Sequence, residues 1–189
     1  MINVFVDYFQ HPNILRAQEI DTCIQRNKDN KNINYQLINY PHRMTYQDFF
    51  DYINKSTIED DVNIVSNIDI IFDDTIALLE KIKPNQFMAL TRHELKRDGS
   101  SYFEVNKAKY SQDVWAWRGR CKITTAHFNL GVLRCDNRLA FEALEVGYEL
   151  INPAFSIKVY HLHFIEVRVD EYFNAVPGRQ YFVFPQTWI

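Results

Sequence analysis

The stretch Val62–Asp74, VNIVSNIDIIFDD, constrains the fold more than any other. Val62, Ile64 and Val65 follow the acidic turn Glu59-Asp60-Asp61, and a short β-branched run of this kind predicts a buried strand. Apolar character stops at Ser66-Asn67-Ile68-Asp69 and resumes at Ile70-Ile71-Phe72. Asp73-Asp74 then open a predicted helix, with Asp74 as its cap and Ile76, Leu79 and Ile82 as its stripe, stopped before Pro84. In an α/β protein, a carboxylate placed where a buried strand ends lies at the sheet's carboxyl edge, where open sheets bind their ligands. Asn67-x-Asp69 is therefore a candidate oxygen-ligand pair for a divalent cation or a sugar nucleotide. Asn and Asp also cap helices and make turns, and a purely local role is the competing reading.

Around this stretch the chain alternates. Ile2–Phe9 reads as a strand, Asn13 to about Lys28 as a helix, and Ile33–Ile38 as a second strand. Thr45, with Asp48 three residues on, is expected to cap a helix whose face is Tyr46, Phe49, Phe50 and Ile53. Strands are predicted at Phe87–Leu90, Val114–Gly119 and Ser156–Phe164, with a last strand after the turn Val176-Pro177-Gly178. Asp136 is expected to cap a helix closed by Gly147. Segments 92–106 and 125–134 read as polar connections, the first with a turn at Asp98–Ser101. Such alternation argues for an α/β domain with a largely parallel sheet. One domain over 1–189 is expected, either whole or the first domain of a longer polypeptide.

Composition narrows the function. With 189 residues, 47% hydrophobic and 15% aromatic, the chain can bury a full core. A net charge of −3 gives no polyelectrolyte signal for nucleic acid. Cys23, Cys121 and Cys135 are odd in number and widely spaced, so a disulfide framework is not expected and a reducing, cytoplasmic setting is. The apolar run Ile2–Val6 is too short for a signal peptide or a membrane span. No GxGxxG or phosphate-binding glycine loop occurs.

Several residues could carry chemistry. Asp136, at a helix mouth, would have its pKa held down by exposed N–H groups and be ionised at neutral pH, as a general base must be. His161 and His163, two apart on a predicted strand, share a face and could share a metal, against a reading in which one is merely buried and hydrogen-bonded. Arg43, Arg92 and Arg138 each lie near a predicted carboxyl-edge loop and suit a diphosphate. Trp115 and Trp117 share a face that is read as core rather than a sugar-stacking platform.

Taken in order, the pieces Arg43-Met-Thr-Tyr46, Asn67–Asp73, Ala89–Arg92, Gln112–Trp115, Leu130-Gly131, Cys135–Arg138 with Gly147-Tyr148, Asn152-Pro153 and Tyr160–His163 resemble one family. It is that of the small GT-A fold glycosyltransferases of bacteria and of large DNA viruses of algae, including the chlorella-virus enzymes that build capsid glycans. The resemblance spans nearly the whole chain. It implies a GT-A fold with a mixed, mostly parallel central sheet flanked by helices. It further implies inverting transfer of a hexose-type sugar, such as glucose or rhamnose, from a UDP-sugar to a glycan or glycoprotein acceptor with Mn²⁺ or Mg²⁺. A viral member would act in the host cytoplasm. Asn67-x-Asp69 takes the place of the family's Asp-x-Asp motif, with Asp69 as metal ligand and Asn67 orienting ribose or phosphate. Asp136 corresponds to the base, with Cys135 where a Glu is common, and His161 or His163 to a further metal ligand. Arg92 and Asp113 are expected to hold the donor sugar, with Tyr8 and Arg43 near base and ribose. The competing readings are a nucleotidyltransferase or sugar-nucleotide hydrolase, and a nucleotide-sugar-binding protein without turnover.

Overall fold

The structure, a computed structural model, describes residues 1–165 and 175–188. Ile189, the last residue of the apolar C-terminus, lies outside them. Among the described residues the main sheet contains β1 (Ile2–Asp7), β2 (Asn34–Ile38), β3 (Val62–Ser66), β5 (Gln86–Thr91), β8 (Gln112–Arg118) and β9 (Glu149–Ile151), in the order β2-β1-β3-β8-β5-β9. Pairs β1/β2, β1/β3 and β5/β9 are parallel, whereas β8 runs antiparallel to both β3 and β5. The reversal of β8 sets its first residues beside the last residues of its neighbours: Val114 opposes Ser66 and Gln112 opposes Thr91.

Alternating side chains build a core on each face. Phe5, Val65, Phe87, Trp115 and Trp117 enter one cluster with α2 (Tyr46–Asn54) and α3 (Cys135–Glu145). Val4, Val6, Ile64, Met88, Leu90 and Ala116 enter the other with α1 (Ile14–Asp29). The two tryptophans are fully buried: Phe87 stacks on Trp117 at 5.7 Å, and Trp115 donates its indole N–H to Tyr46 Oη at 3.1 Å. Helix α2 starts on the expected reciprocal cap between Thr45 and Asp48.

A smaller sheet, β4 (Ile70–Phe72), β10 (Val159–His161), β6 (His93–Leu95) and β7 (Ser101–Tyr102), runs in the order β4-β10-β6-β7. Asn27, wholly buried on α1, donates to Ile70 O at 2.7 Å and accepts from Phe72 N at 3.0 Å, so one side-chain amide stands in for a strand neighbour of β4.

Several expectations change. Residues Asp74–Lys81 form a 3-10 helix, and Asp73 rather than Asp74 is its cap, because Asp73 is still extended and accepts from Thr75 N at 2.9 Å. The segment 92–106 contains the β6–β7 hairpin, hidden by its polar side chains. Only Val159–His161 of the predicted 156–164 strand joins a ladder, since Ser156 N and Ile157 N turn back onto Pro153 O. Residues 175–188 form a strap with no strand: Val176 N bonds Leu133 O, Tyr181 N bonds Asn137 O and Gln186 N bonds Asn152 O. The three cysteines are free and buried, and no helix among the described residues is long and apolar enough to cross a membrane.

Candidate functional site

The small sheet collects one group of side chains. Asp69 immediately precedes β4, and its carbonyl accepts from Leu162 N at 3.0 Å, next to His161 on β10. Asp69 Oδ2 lies 3.1 Å from His161 Nε2 and 3.7 Å from His163 Nδ1, and the two rings are 5.1 Å apart. One ligand atom from each of Asp69, His161 and His163 falls within 4.8 Å of the others. Arg16, from the first turn of α1, pairs with the same Asp69 oxygen and donates to Leu162 O at 2.7 Å.

From His161 a continuous chain crosses the edge of the main sheet. His161 Nδ1 meets Glu94 Oε2 at 2.8 Å, and Glu94 Oε1 accepts from Arg92 Nε at 2.6 Å. Arg92 Nη1 reaches both oxygens of Asp113, at 2.9 and 2.8 Å. Asn67 Nδ2 closes the chain on Asp113 Oδ1 at 2.7 Å. This contact exists because β8 runs backward: Asn67 N also bonds Asp113 O at 3.1 Å, so the start of β8 and the end of β3 share one edge.

Asp136 lies near Asp113 and the Gln112 backbone, both of which act on its carboxyl. It occupies the first turn of α3, while Arg134, left-handed at φ 70° and without a side-chain cap bond, takes the capping position expected for Asp136. Behind it runs a buried relay. The Trp115 N–H donates to Tyr46 Oη, Tyr46 Oη lies 3.8 Å from Cys135 Sγ, and Cys135 Sγ–H donates to Asp136 Oδ1 at 3.3 Å.

The electrostatics of the two ends differ. Burial opposes the charge on Asp69, but the charge and hydrogen bond of His161, the bond from His163 and the charge of Arg16 outweigh it and hold the carboxyl well below its ordinary range. Burial would lower His161, yet Asp69 and Glu94 raise it to about 9. Glu94 is likewise desolvated, and His161 and Arg92 bring it down to about 2. Asp136 goes the opposite way. Desolvation and the neighbouring Asp113 charge push its carboxyl well above the ordinary range, against smaller opposing effects from Cys135, Arg92 and the Gln112 backbone. The expectation that helix N–H groups keep Asp136 ionised is thus overturned: loss of water and a like charge prevail over the helix end.

The remaining candidates divide. Arg43 reaches Leu130 O at 2.6 Å, and a Cβ on Gly131 would lie 3.2 Å from Arg43 Nη2 and 3.9 Å from Asn67 Oδ1, so loop 39–44 meets the Asn67 side of the site. Asp7 anchors that loop by accepting from Met44 N at 3.0 Å. Tyr8 is 38% exposed at the end of β1, open to a ligand. Arg138 pairs with Glu142 on its own helix and takes no part in the chain. Trp115 and Trp117 are core. Sequence reasoning missed Arg16 and Glu94. Arg16 sits at i, i+4, i+7 and i+11 with Ile20, Cys23 and Asn27, all buried, so a charge on an apolar stripe was the available signal. Glu94 follows Arg92 by two residues, the spacing that puts both on one face of an extended chain.

No family model matches the chain. No curated protein matches it either. Among solved structures, the crystal structure of a glycosyltransferase involved in the glycosylation of the major capsid of PBCV-1 is similar over 85% of this chain and 92% of that chain, with 8% identity and a TM-score of 0.42. A likeness at this level assigns this chain no activity.

Proposed function

We propose that the protein is a metal-dependent glycosyltransferase that moves a hexose-type sugar, glucose, rhamnose or similar, from a UDP-sugar to a hydroxyl of a glycan or glycoprotein acceptor with inversion. The observation that carries this reading is the unbroken run of side chains from Asp69, His161 and His163 to Asp113, beside Asp136, along the edge where β3, β5 and β8 meet. Asp69, His161 and His163 would hold the cation, the carboxylate supplying the oxygen ligand that suits Mn²⁺ and the two imidazoles adding nitrogen ligands. When bound, the ion supplies positive charge to the departing diphosphate.

The chain's own residues do the rest. Ionised Asp136 takes the proton of the acceptor hydroxyl as that oxygen bonds to the anomeric carbon, while the bond from that carbon to the diphosphate breaks and its electron pair leaves with UDP. Displacement from opposite faces inverts the configuration. Arg92 is committed through Nε and Nη1 to Glu94 and Asp113, so it acts by fixing Asp113 toward the donor sugar. Asn67 and Arg43 serve ribose or phosphate, and Tyr8 the base.

Product analysis with a labelled UDP-sugar tests the reaction: label should pass to an acceptor glycan only with Mn²⁺ or Mg²⁺. Label released as free sugar at the same rate without acceptor would make it a hydrolase. One observation favours a second reading, a binding protein without turnover: Arg16 and His161 already pair with Asp69 Oδ2. Calorimetry with UDP decides this, because a cation that does not improve UDP binding leaves the ion pairs as the whole of that centre.

A further inference from the structure

Beside the ion-pair chain lies a cavity of about 100 Å³ whose lining includes Arg92, Glu94, Tyr102, Glu104, Lys107 and Ser111. Its walls follow from the topology. Strand β5 delivers Thr91 and Arg92, the β6–β7 hairpin delivers Glu94 and Tyr102, and the chain returns through a 3-10 turn at Ala108–Tyr110 into β8. That turn is fixed from below, because Ala108 O accepts from Thr91 Oγ1 at 2.6 Å and from Gln112 Nε2 at 2.8 Å. Arg92 and Glu94 are already paired. Among the described residues the side chains of Glu104, Lys107 and Ser111 make no ion pair or hydrogen bond.

This lining selects by chemistry. Two carboxylates accept, two cations donate, and the Tyr102 and Ser111 hydroxyls do either. A phosphate would meet Glu94 and Glu104, and an apolar group would strand charged side chains. An uncharged ring bearing several hydroxyls satisfies both signs at once, with charge-assisted hydrogen bonds. The volume is well short of the roughly 300–1,000 Å³ that take up a whole drug-sized ligand, so the cavity suits one group of a larger molecule.

We propose that this cavity takes the sugar ring of the donor, prefers a neutral polyhydroxylated ring to an acidic one, and uses Glu104 and Lys107 as the selecting side chains. The proposal rests on the transferase reading above. Its test is calorimetry with Mn²⁺ and each of UDP, UDP-glucose and UDP-glucuronate, on the wild type and on Glu104→Gln and Lys107→Met, with melting curves to check folding. Wild type should hold UDP-glucose about tenfold or more tighter than UDP, and about tenfold or more tighter than UDP-glucuronate, as expected for hydrogen bonds to charged groups. Each variant should lose about tenfold of the gain over UDP while binding UDP itself unchanged, and Glu104→Gln should narrow the gap to UDP-glucuronate. Variants that bind UDP-glucose like the wild type, or a wild type indifferent to the uronate, overturn the proposal. UDP bound as tightly as UDP-glucose removes the sugar subsite alone and leaves the nucleotide reading standing. A wild type that binds no UDP removes both. Free glucose whose binding beside UDP depends on Glu104, while UDP-glucose binding does not, moves the ring to the acceptor and also overturns the donor assignment.

Discussion

Asp69 and Asp136 are the same residue at one sheet edge, and they titrate in opposite directions. Asp69 is met by Arg16, His161 and His163, all cationic or able to become so. Asp136 is met by another carboxylate and by a thiol that burial, and then Asp136 itself, hold well above the ordinary thiol range. Between them, Arg92 and Asp113 are shared. On the transferase reading the contrast gives two identical carboxyls separate roles: one whose pKa is held down beside cationic groups, one whose raised pKa favours taking a proton.

The strongest way to break the contrast is Asp136→Asn. Loss of a general base should cut transfer by about 10²–10⁴, while Mn²⁺-dependent UDP binding survives; a variant with full transfer rate would move the base elsewhere. The same variant should be the more stable protein at alkaline pH. A carboxyl whose folded pKa is raised contributes stability that is present at low pH and lost as pH climbs through the raised value, and asparagine has no such loss.

Next in size is Asp69→Ala. It should cost about 1–3 kcal/mol in denaturant melts, because buried Arg16 loses one of its two carboxylate partners and keeps Glu19 at 2.7 Å, and it should abolish the cation's effect on UDP binding. Unchanged stability would mean that the Glu19 pair and the Leu162 carbonyl satisfy Arg16 by themselves. The pH profile of kcat/KM sharpens the same comparison: its rising limb should lie above the ordinary carboxylate range and move down in Asp113→Asn, which removes the like charge beside Asp136. A limb that ignores Asp113 would separate the two carboxyls. The smallest effect is that of Cys135→Ala. Losing the S–H donor should move the limb upward by less than about one unit, since a thiol is a weak donor and one unit is about 1.4 kcal/mol. A purely structural Cys135 would change melting and leave the limb in place.

Much of the frame was legible because it obeys short periods. The β-branched run at Val62–Val65 does read as a doubly buried strand, and Thr45 with Asp48 does start α2. What failed depended on partners distant in sequence. Asp73 and Asp74 offer the same capping chemistry, and only the backbone angle separates them. The β6–β7 hairpin has polar residues on both faces and therefore no period. Asn27 reads as a polar residue near a helix end, yet it completes β4, forty-three residues on. At the site, His161 and His163 were visible from their spacing. The raised pKa of Asp136 was not, because it comes first from burial and then from Asp113, which only the reversal of β8 brings alongside.

That reversal also affects how this protein could change. The twenty residues from Arg92 to Ser111 leave the ladder at Thr91 and rejoin it at Gln112, two positions that face each other. Everything between hangs from a closed gate at this edge, so changes of length beyond β6, which pairs with β10, leave the β5/β8 and β3/β8 ladders intact. On the proposed reading, a library of inserts confined to 96–100, the turn between β6 and β7, would alter sugar preference with little penalty to the main sheet.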